Sequence, residues 1–516
     1  MSSQKNKDAD TSHYDVVIIG SGLGGLVCGL LLAKEGKKVC ILEKNRQFGG
    51  ALQIFSRDKC IFDTGVHYIG GLDKGQNLQK IFHYLGIYDK LKLKKMDTDA
   101  FDVISFDGDE TTYPHAQGYE RFKAQLKALF PDETKAIDQY CETISKVKDD
   151  YPLFELKAHR ADHYTSEYEN ISAKDFIDSL TEDETLRNVL AGNNVLYAGK
   201  GDKSPLYIHA LISHSYIQSA WKCVDGGAQI EKLISKEIKK HGGVLRNYSE
   251  VSSFEYEDKK ITAARCKDGA IFYGDLFISN LHPEKTIELV DPTLFRNAYI
   301  NRIKHLENTP SVFTLNVVFK KGSMPYHNSN YYHYKQKDVW NAHIYDDASW
   351  PKAYAVYFPY SSTSPEYAQT AIVLAYMNFE DVAKWQDTVN IIPDKEHFRG
   401  EEYERFKQEK ADKLLKEVEK RFLNFTKHIQ SCHASTPLTY RDYLGTNDGA
   451  IYGIQKNYTS PYESVISPKT RIKNLYLTGQ NTNMHGVLGV TISALVTCAY
   501  LLGFDHLVNK INEANE

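Results

Sequence analysis

The chain has 516 residues, of which 42% are hydrophobic and 25% are charged, and its formal net charge is −4. This composition excludes intrinsic disorder, a collagen-like repeat and a coiled-coil rod, and the near balance of charge gives no indication of nucleic-acid binding. The length predicts about three domains, or two large ones.

The eight cysteines are scattered, with no C-x-x-C motif and no cluster with histidines. This spacing argues against a metal site and a disulfide framework, and it predicts buried thiols in a reducing compartment, hence a cytoplasmic location. Residues 1–13 are polar and lack the apolar stretch of a secretory signal, so we expect a disordered leader there.

Aromatic residues are unusually frequent: there are 35 tyrosines and 23 phenylalanines against 5 methionines. Such an excess is typical either of a tyrosine-rich core or of a site for a flat, apolar ligand, and composition alone leaves both readings open.

The first predicted element is a buried parallel strand over residues 14–19, YDVVII. A G-x-G-x-x-G motif follows at once, with its glycines at Gly20, Gly22 and Gly25. In a dinucleotide site these glycines allow the tight turn, the approach of a pyrophosphate, and close packing of helix on strand.

An apolar helix is predicted over residues 26–35, and Gly36 ends it. A second strand covers residues 38–42 and is closed by Glu43, 18 residues after Gly25. A carboxylate at that distance accepts hydrogen bonds from an adenosine ribose. Strand, motif, helix, strand and acid in this order predict a dinucleotide site.

The glycine pair Gly49-Gly50 distinguishes the cofactor. The stretch EKNRQFGGALQ resembles the extended fingerprint of two-dinucleotide-fold flavoproteins, whereas NAD-only dehydrogenases lack that pair. A glycine pair lets the chain run close to a bulky ligand. We therefore expect FAD. No second G-x-G-x-x-G motif follows a strand, so the electron donor stays open, with NAD(P)H as one candidate.

The middle of the chain is predicted to contain further helices and strands, without internal repeats. An amphipathic helix over residues 229–240 follows Gly226-Gly227, a strand begins at Val244, and residues 261–280 resemble a hairpin. Residues 311–319 (SVFTLNVVF) and 373–377 are predicted to be neighbouring strands that line a cavity. Residues 206–221 are either a core helix or an amphipathic helix that forms a lid or touches a membrane.

The last signal is an apolar strand over residues 474–479, then Gln480, then an apolar run over residues 486–504. By length the run is at the edge of a transmembrane span, but the strand–glycine–helix order favours a buried helix. The N-terminus of such a helix would stabilise negative charge on a reduced flavin.

Taken with these motifs, residues 62–70 (FDTGVHYIG) resemble the phytoene desaturase, carotenoid isomerase and retinol saturase family of FAD-dependent oxidoreductases, most closely its retinol saturase branch. The resemblance covers roughly 14–68, 225–286 and 474–502. Many relatives carry an acid where this chain has Gln480, and Ala51 stands where an arginine often follows the glycine pair in amine oxidases.

The resemblance implies an α/β fold: a Rossmann-like, amine-oxidase-like FAD-binding domain with an inserted α+β substrate domain. We expect the first from 14–75, 222–300 and 440–516, and the second from 76–221 and 301–440. The residues expected to bind FAD are Gly20, Gly22, Leu23, Gly24, Gly25, Glu43, Lys44, Gly49, Gly50, Val251, Gly479, Gln480, Gly489, Val490 and Thr491.

The implied activity is hydride transfer at flavin N5 to or from a carbon–carbon double bond of an apolar polyene. The alternatives are an amine or amino-acid oxidase on the same fold, and a non-catalytic lipid or flavin carrier. Candidate proton donors are His67, Tyr68 and His485, each of which could instead be structural. The expected partner is an apolar small molecule, with peripheral membrane contact left open.

Most aromatic residues are expected to belong to the insertions and to include cavity-lining side chains. Those singled out are Tyr151, Tyr197, Tyr207, Tyr216, Trp221, Phe313, Tyr331, Tyr332, Tyr354, Tyr357, Phe358 and Tyr360.

Overall fold

The computed structural model describes residues 12–157, 166–391 and 399–516. Most of the expected N-terminal leader lies outside these residues, and the first strand begins at His13.

The first large sheet has seven strands. They are β1 (His13–Ile19), β2 (Val39–Leu42), β10 (Val244–Arg246), β11 (Val251–Glu257), β12 (Lys260–Cys266), β13 (Ile271–Ser279) and β19 (Leu475–Leu477). Six of them follow the order β10-β2-β1-β13-β12-β11, and the seventh, β19, pairs with β13 outside this order. Strands β10, β2, β1, β13 and β19 run parallel, and β11, β12 and β13 form an antiparallel meander. The predicted hairpin is therefore confirmed.

The second large sheet also has seven strands. They are β7 (Asp102–Phe106), β8 (Tyr113–His115), β14 (Ser311–Phe319), β15 (Asn330–Tyr334), β16 (Ala353–Tyr357), β17 (Thr370–Met377) and β18 (Ile429–Ser435). Their order is β18-β14-β17-β16-β15-β7-β8. The two strands predicted as neighbours, β14 and β17, pair antiparallel, with Leu315 opposite Val373.

The remaining strands form two small sheets. These are β3 (Ile54–Arg57) with β4 (Cys60–Asp63), and β5 (Ile69–Gly70), β9 (Ala220–Cys223) and β6 (Leu93–Lys95) in the order β5-β9-β6.

Fifteen α-helices occur in the described residues. They are α1 (Leu23–Lys34), α2 (Asn77–Tyr84), α3 (Tyr119–Leu129), α4 (Thr134–Lys146), α5 (Ala173–Leu180), α6 (Glu184–Leu190), α7 (Leu206–Gln218), α8 (Ala228–Lys240), α9 (Pro283–Leu289), α10 (Asn297–Lys304), α11 (Glu401–Arg421), α12 (Pro437–Leu444), α13 (Pro461–Ser464), α14 (Gly486–Leu502) and α15 (Phe504–Glu513).

For two apolar helices the sequence left open whether they are buried in the core or contact a membrane, and the structure decides between these alternatives. In α7, 11 of 13 residues are buried, so it is a core helix. The last apolar helix, α14, packs against α1, where the Cys28 thiol lies 3.7 Å from the Ala494 carbonyl oxygen. The apolar character of both helices is therefore explained by burial in the protein.

Within the described ranges, no single helix has the length and hydropathy needed to cross a membrane. Helices α14 and α15 meet those criteria only as a pair, and the two are bent by 120° relative to each other.

The burial of α14 predicts a large cost for truncating its inner face. Leu495 is fully buried, so Leu495→Ala should lower the free energy of unfolding by about 2–5 kcal/mol. Tyr500 on the same helix is 49% exposed, and Tyr500→Ala should cost less than about 1 kcal/mol. Denaturation midpoints measure both. Equal effects of the two substitutions would contradict the placement of α14 in the core.

Candidate flavin and substrate site

The turn between β1 and α1 forms the first part of the site. Gly20 has φ +93°, and its N–H donates to the Leu42 carbonyl oxygen at 2.8 Å. A Cβ at Gly25 would lie 2.2 Å from the Gly20 oxygen, so helix and strand pack backbone to backbone there. Gly22 is the N-cap of α1 and provides no side-chain cap. The first N–H groups of α1 are therefore available to a phosphate.

Asn280 follows β13 and lies between this turn and Gly479, at the end of the last strand of the sheet. Its Nδ2 donates to the Gly20 oxygen at 3.4 Å. A Cβ at Gly24 would lie 2.6 Å from Asn280 Oδ1, and one at Gly479 would lie 2.5 Å from the same atom. Sequence reasoning missed Asn280. Its available signal was its position at the carboxyl end of a strand predicted to join the sheet.

Glu43 lies at the end of β2 and faces the same cavity. Its Oε2 accepts from the Ser21 N–H at 3.1 Å and the Ser21 hydroxyl at 2.6 Å, and its Oε1 accepts from the Asn45 N–H at 2.8 Å. These bonds fix the carboxylate while leaving lone pairs for further donors. The Lys44 ammonium donates to the Asp442 carbonyl oxygen at 2.8 Å, and burial lowers its pKa.

The glycine pair lies against the motif turn. Gly49 and Gly50 both have positive φ, +110° and +56°. The Gly49 N–H donates to Ser21 Oγ at 3.2 Å, and a Cβ at Gly50 would lie 3.1 Å from the Gly22 Cα. The pair therefore brings a second stretch of backbone close to the dinucleotide turn.

A cavity of about 710 Å³ extends from this turn into the space between the two large sheets. Of the residues predicted to bind FAD, it is lined by Gly20, Gly22, Leu23, Gly24, Glu43, Lys44, Gly49, Gly50, Val251, Gly479, Gln480 and Val490. Gly25, Gly489 and Thr491 do not line it. Gly489 packs on Met484, and the Thr491 hydroxyl donates to the Val487 oxygen at 2.7 Å.

The cavity fits a flavin dinucleotide on three counts. Backbone N–H groups lie at the uncapped N-terminus of a helix, and a carboxylate is fixed where a ribose would lie. The two glycine stretches have no room for side chains, because a Cβ atom added at these glycines would collide with neighbouring backbone or side chains. The N-terminal residues of α14, Gly486 and Val487, line the far part of the cavity. There a helix dipole favours negative charge.

The far end of the cavity is apolar and aromatic. Its aliphatic wall consists of Val195, Leu196, Val312, Leu374 and Ile451. Six tyrosines line the whole cavity: Tyr68, Tyr216, Tyr357, Tyr440, Tyr443 and Tyr452. Of the twelve aromatic residues singled out from the insertions, only Tyr216 and Tyr357 are among the lining residues. The aromatic excess therefore serves mainly the core and partly the cavity.

The candidate proton donors occupy different environments. His67 lines the cavity, stacks on Tyr357 with ring centroids 4.5 Å apart, and has an Nδ1 without a hydrogen-bond partner. Burial lowers its pKa to about 4. His485 does not line the cavity; its ring is tilted by 31° against that of Tyr452, and burial lowers its pKa to about 3. Both imidazoles are therefore neutral at pH 7.

Tyr68 lines the cavity and belongs to a buried polar cluster. Its hydroxyl donates to Asp102 Oδ2 at 2.8 Å and lies 2.7 Å from the Tyr332 hydroxyl. The Tyr357 hydroxyl donates to that of Tyr332 at 3.4 Å. Asp102 is fully buried, and burial raises the pKa of its carboxyl to about 7. The sequence contains no local signal for Asp102.

The comparisons with known proteins agree with this site. Residues 18–85, which contain the motif turn, match the family described as NAD(P)-binding Rossmann-like domain. The chain is 26% identical to an all-trans-retinol 13,14-reductase of Danio rerio, over 95% of this chain and 86% of the relative. A prolycopene isomerase of Arabidopsis thaliana is 23% identical over 97% and 84%. The predicted resemblance to the retinol saturase and carotenoid isomerase family is confirmed.

Another Danio rerio relative, an inactive all-trans-retinol 13,14-reductase, is also 26% identical, over 92% of this chain and 84% of its own. Overall identity therefore does not separate active from inactive relatives, and the site itself has to be considered.

Solved structures establish the fold. An oxidoreductase from Methanosarcina mazei superposes with a TM-score of 0.63 at 15% identity, covering 94% of this chain and 100% of that one. Cyclohexylamine oxidase from Brevibacterium oxydans gives 0.59 at 13% identity, covering 95% and 99%. A Rab GDI from Plasmodium falciparum gives 0.53 at 14% identity, covering 95% and 98%. The predicted α/β, Rossmann-like, amine-oxidase-like fold is confirmed.

The geometry around Glu43 predicts how it contributes to cofactor affinity. Replacing it by glutamine keeps the shape but removes the charge that strengthens bonds from ribose hydroxyls. Glu43→Gln should therefore weaken FAD binding by about 10- to 100-fold. Titration of the apoprotein with FAD measures this. FMN, which lacks the adenosine ribose, serves as the control, and its affinity should not change. Equal loss for FMN would contradict an adenosine-ribose role.

Proposed function

We propose that the protein is a FAD-dependent oxidoreductase that acts on carbon–carbon double bonds of an apolar polyene or isoprenoid. The observation that carries the proposal is one continuous cavity, which joins the dinucleotide cradle at Gly22 and Glu43 to an apolar, aromatic end at Val312 and Tyr357. A ligand without charged groups has to be oriented by shape and apolar contact, which this end provides.

FAD, when bound, supplies two-electron chemistry at N5 of its isoalloxazine ring. The chain's own residues position the cofactor and the substrate. The N-terminus of α1 would hold the pyrophosphate and Glu43 the ribose. The N-terminus of α14 lies toward the other end of the cavity, and the aliphatic wall would exclude water from the reacting carbons.

The expected domain division is part of the proposal. All strands of the first large sheet lie within 13–19, 39–42, 244–279 and 475–477, and all strands of the second lie within 102–115, 311–377 and 429–435. This distribution supports a FAD-binding domain from 14–75, 222–300 and 440–516, and a substrate domain from 76–221 and 301–440.

An amine oxidase has the same fold, and the position of charge argues against that activity here. The charged residues that line the cavity are Glu43, Lys44, Glu250, Lys267, Lys285 and Glu288. They cluster near β11, where the Ser249 N–H donates to the Glu43 oxygen at 2.8 Å. Among the described lining residues, the aliphatic end holds no carboxylate to pair with an ammonium group.

A non-catalytic carrier is the second alternative, since a Rab GDI shares the fold. The carboxylate at Glu43 and the glycine pair at Gly49 and Gly50 favour a bound dinucleotide over an apolar ligand alone. A cytoplasmic location is part of the proposal, because Cys28, Cys141 and Cys498 are buried free thiols, as expected in a reducing compartment.

Tyr68 is the proton donor that the geometry favours. Saturation of a double bond needs a proton as well as a hydride, and the donor has to reach the cavity. Tyr68 lines the cavity, whereas His485 does not and His67 is neutral at pH 7.

The proposed function predicts which substrate reoxidises the reduced cofactor. Protein reconstituted with FAD, reduced anaerobically by light, dithionite or NAD(P)H, should be reoxidised by all-trans-retinol or by a carotenoid. Absorbance near 450 nm follows the reaction, and product analysis identifies the bond that changes. Oxidised protein mixed with putrescine or cyclohexylamine is the control and should remain oxidised. Reduction by an amine would favour the oxidase alternative, and failure to take up FAD would favour the carrier.

The neutral state of His67 predicts that it acts through its ring and not as an acid. His67→Phe preserves stacking on Tyr357, so the rate of polyene-dependent reoxidation should change by less than about 5-fold. Loss of a general acid would lower it by about 100-fold or more. Stopped-flow rates of FAD-loaded wild type and variant distinguish the two. A loss of the larger size would make His67 the donor.

A further inference from the structure

We propose that Asp102 supplies protons at the substrate end: as a buried carboxylic acid it passes a proton to Tyr68 while Tyr68 protonates a substrate carbon. This inference rests on the proposed function and names the source of its proton. Because Asp102 acts through Tyr68, it is a positioning residue in this scheme, whereas Tyr68 is catalytic.

The hydrogen bonds form a chain that ends on Asp102. Tyr357 donates to Tyr332, Tyr332 is within 2.7 Å of Tyr68, and Tyr68 donates to Asp102 Oδ2. Each phenol has one proton and can both donate and accept. When Asp102 carries the proton, rotation of the hydroxyl groups reverses the direction of the chain without moving a heavy atom. The two cavity-lining tyrosines of the chain, Tyr68 and Tyr357, can then both receive a proton that comes from the Asp102 carboxyl group.

The remaining partners of Asp102 hold the carboxyl group without fixing its charge. Asn330 Nδ2 donates to Oδ1 at 3.0 Å, and Asn193 Nδ2 donates to Oδ2 at 3.3 Å. No cation bonds to Asp102 directly among the described residues; the nearest influence is Lys222, whose ammonium donates instead to the Phe358 oxygen at 2.9 Å. A fully buried acid with neutral partners and a distant cation can exist in either protonation state near neutral pH.

Titratable groups face Asp102 from all sides, and they bear on any pH dependence. The groups that influence it or are influenced by it are Tyr68, Tyr216, Lys222, Tyr332, Tyr334 and Tyr357. Burial raises the pKa of the tyrosines, so they stay neutral. Burial lowers the pKa of Lys222 to about 7, and its positive charge lowers that of Asp102. Each charge therefore favours the charged state of the other, although the two groups do not bond to each other.

Reduction of the double bond needs one hydride and one proton. The bound cofactor, itself reduced by an external two-electron donor, would supply the hydride to one carbon of the double bond. The π electrons form a new bond from the other carbon to the Tyr68 hydroxyl proton as its O–H bond breaks. In the same step the Tyr68 oxygen takes the proton of Asp102, and the resulting carboxylate takes up a proton from water before the next turnover. The net change is addition of two electrons and two protons.

The first test uses FAD-loaded wild type, Asp102→Asn, Asp102→Glu and Tyr68→Phe, reduced anaerobically and mixed with all-trans-retinol at a series of pH values. We expect Asp102→Asn and Tyr68→Phe to slow reoxidation by about 10- to 1,000-fold. The ionisation near pH 7 should disappear from the profile of Asp102→Asn and return, shifted, in Asp102→Glu. Tyr334→Phe is the matched control: it removes a buried hydroxyl that donates to the Gly192 oxygen and not to Asp102. Its profile should match wild type.

The second test needs no cofactor. In the folded apoprotein the pKa of Asp102 is raised from 3.8 to about 7, so the folded state binds more protons than the unfolded state between those values. The contribution of Asp102 to the free energy of unfolding should therefore fall as pH rises from about 4 to about 7, so over this range wild type should lose stability relative to Asp102→Asn. Denaturation midpoints of both proteins across pH measure this difference. A difference that does not change with pH would overturn the inference.

The outcomes separate the inference from the proposed function. If neither retinol nor a carotenoid reoxidises wild type, the proposed function fails and the inference with it. If wild type reacts and Asp102→Asn retains the same rate and pH profile, the inference alone is overturned. If Asp102→Asn does not fold, Asp102→Glu and Tyr68→Phe decide the question through their pH profiles, and an unshifted ionisation in Asp102→Glu contradicts the proposal.

Discussion

The Asn280 side chain fills the space that Cβ atoms would occupy at glycines from two distant parts of the chain. Gly22 and Gly24 belong to the first turn, and Gly479 follows the last strand. The carboxyl ends of β1, β13 and β19 can meet only because these positions have no side chain. The dinucleotide cradle therefore exists only when segments almost 460 residues apart have assembled. This explains why the sheet that holds it is built from discontinuous pieces.

Assembly of the cradle also fixes where the substrate end must lie. The cavity runs from the first sheet toward the second, which contributes Val312 from β14, Tyr357 from β16 and Leu374 from β17. The charged lining lies near the first sheet, and four of the five residues of the aliphatic wall come from the insertions: Val195, Leu196, Val312 and Leu374. A dinucleotide bound at the cradle would present its far end to an apolar wall, so the chemistry falls at the junction of the two sheets.

The sequence predicts the local parts of this arrangement well. The strand–glycine–helix–strand–acid order, the hairpin before Asn280 and the apolar last helix are all present, because turn glycines and apolar periodicity are local signals. The alternation in β14 correctly indicated a buried strand. It could not say which buried face meets the cavity, so Phe313 packs in the core while its neighbour Val312 lines the wall.

Contacts between segments that are distant in the chain could not be predicted from the sequence. Asp102 lies in a strand with no unusual composition, and its hydrogen-bond partners Tyr68, Asn193 and Asn330 come from three separate segments. The same limit applies to Gly489 and Thr491, which a motif placed at the cofactor. Their contacts are instead with Met484 and Val487 of the same stretch of chain. Only the assembled structure distinguishes a glycine that approaches a ligand from one that allows a helix to pack.

Two buried acids of the chain, Asp442 and Asp102, differ in whether a cation pairs with the carboxylate. Asp442 accepts directly from Arg399 and from Arg441, so its charge is paired where it lies. Asp102 is as deeply buried, but its direct partners are two amides and a phenol, and Lys222 directs its ammonium elsewhere. An arrangement that only stabilised the fold would place a cation on the carboxylate or replace it by an apolar side chain. Neutral partners, one of which is the cavity-lining Tyr68, instead keep the proton exchangeable, which is the property a double-bond reductase needs beside an otherwise apolar substrate.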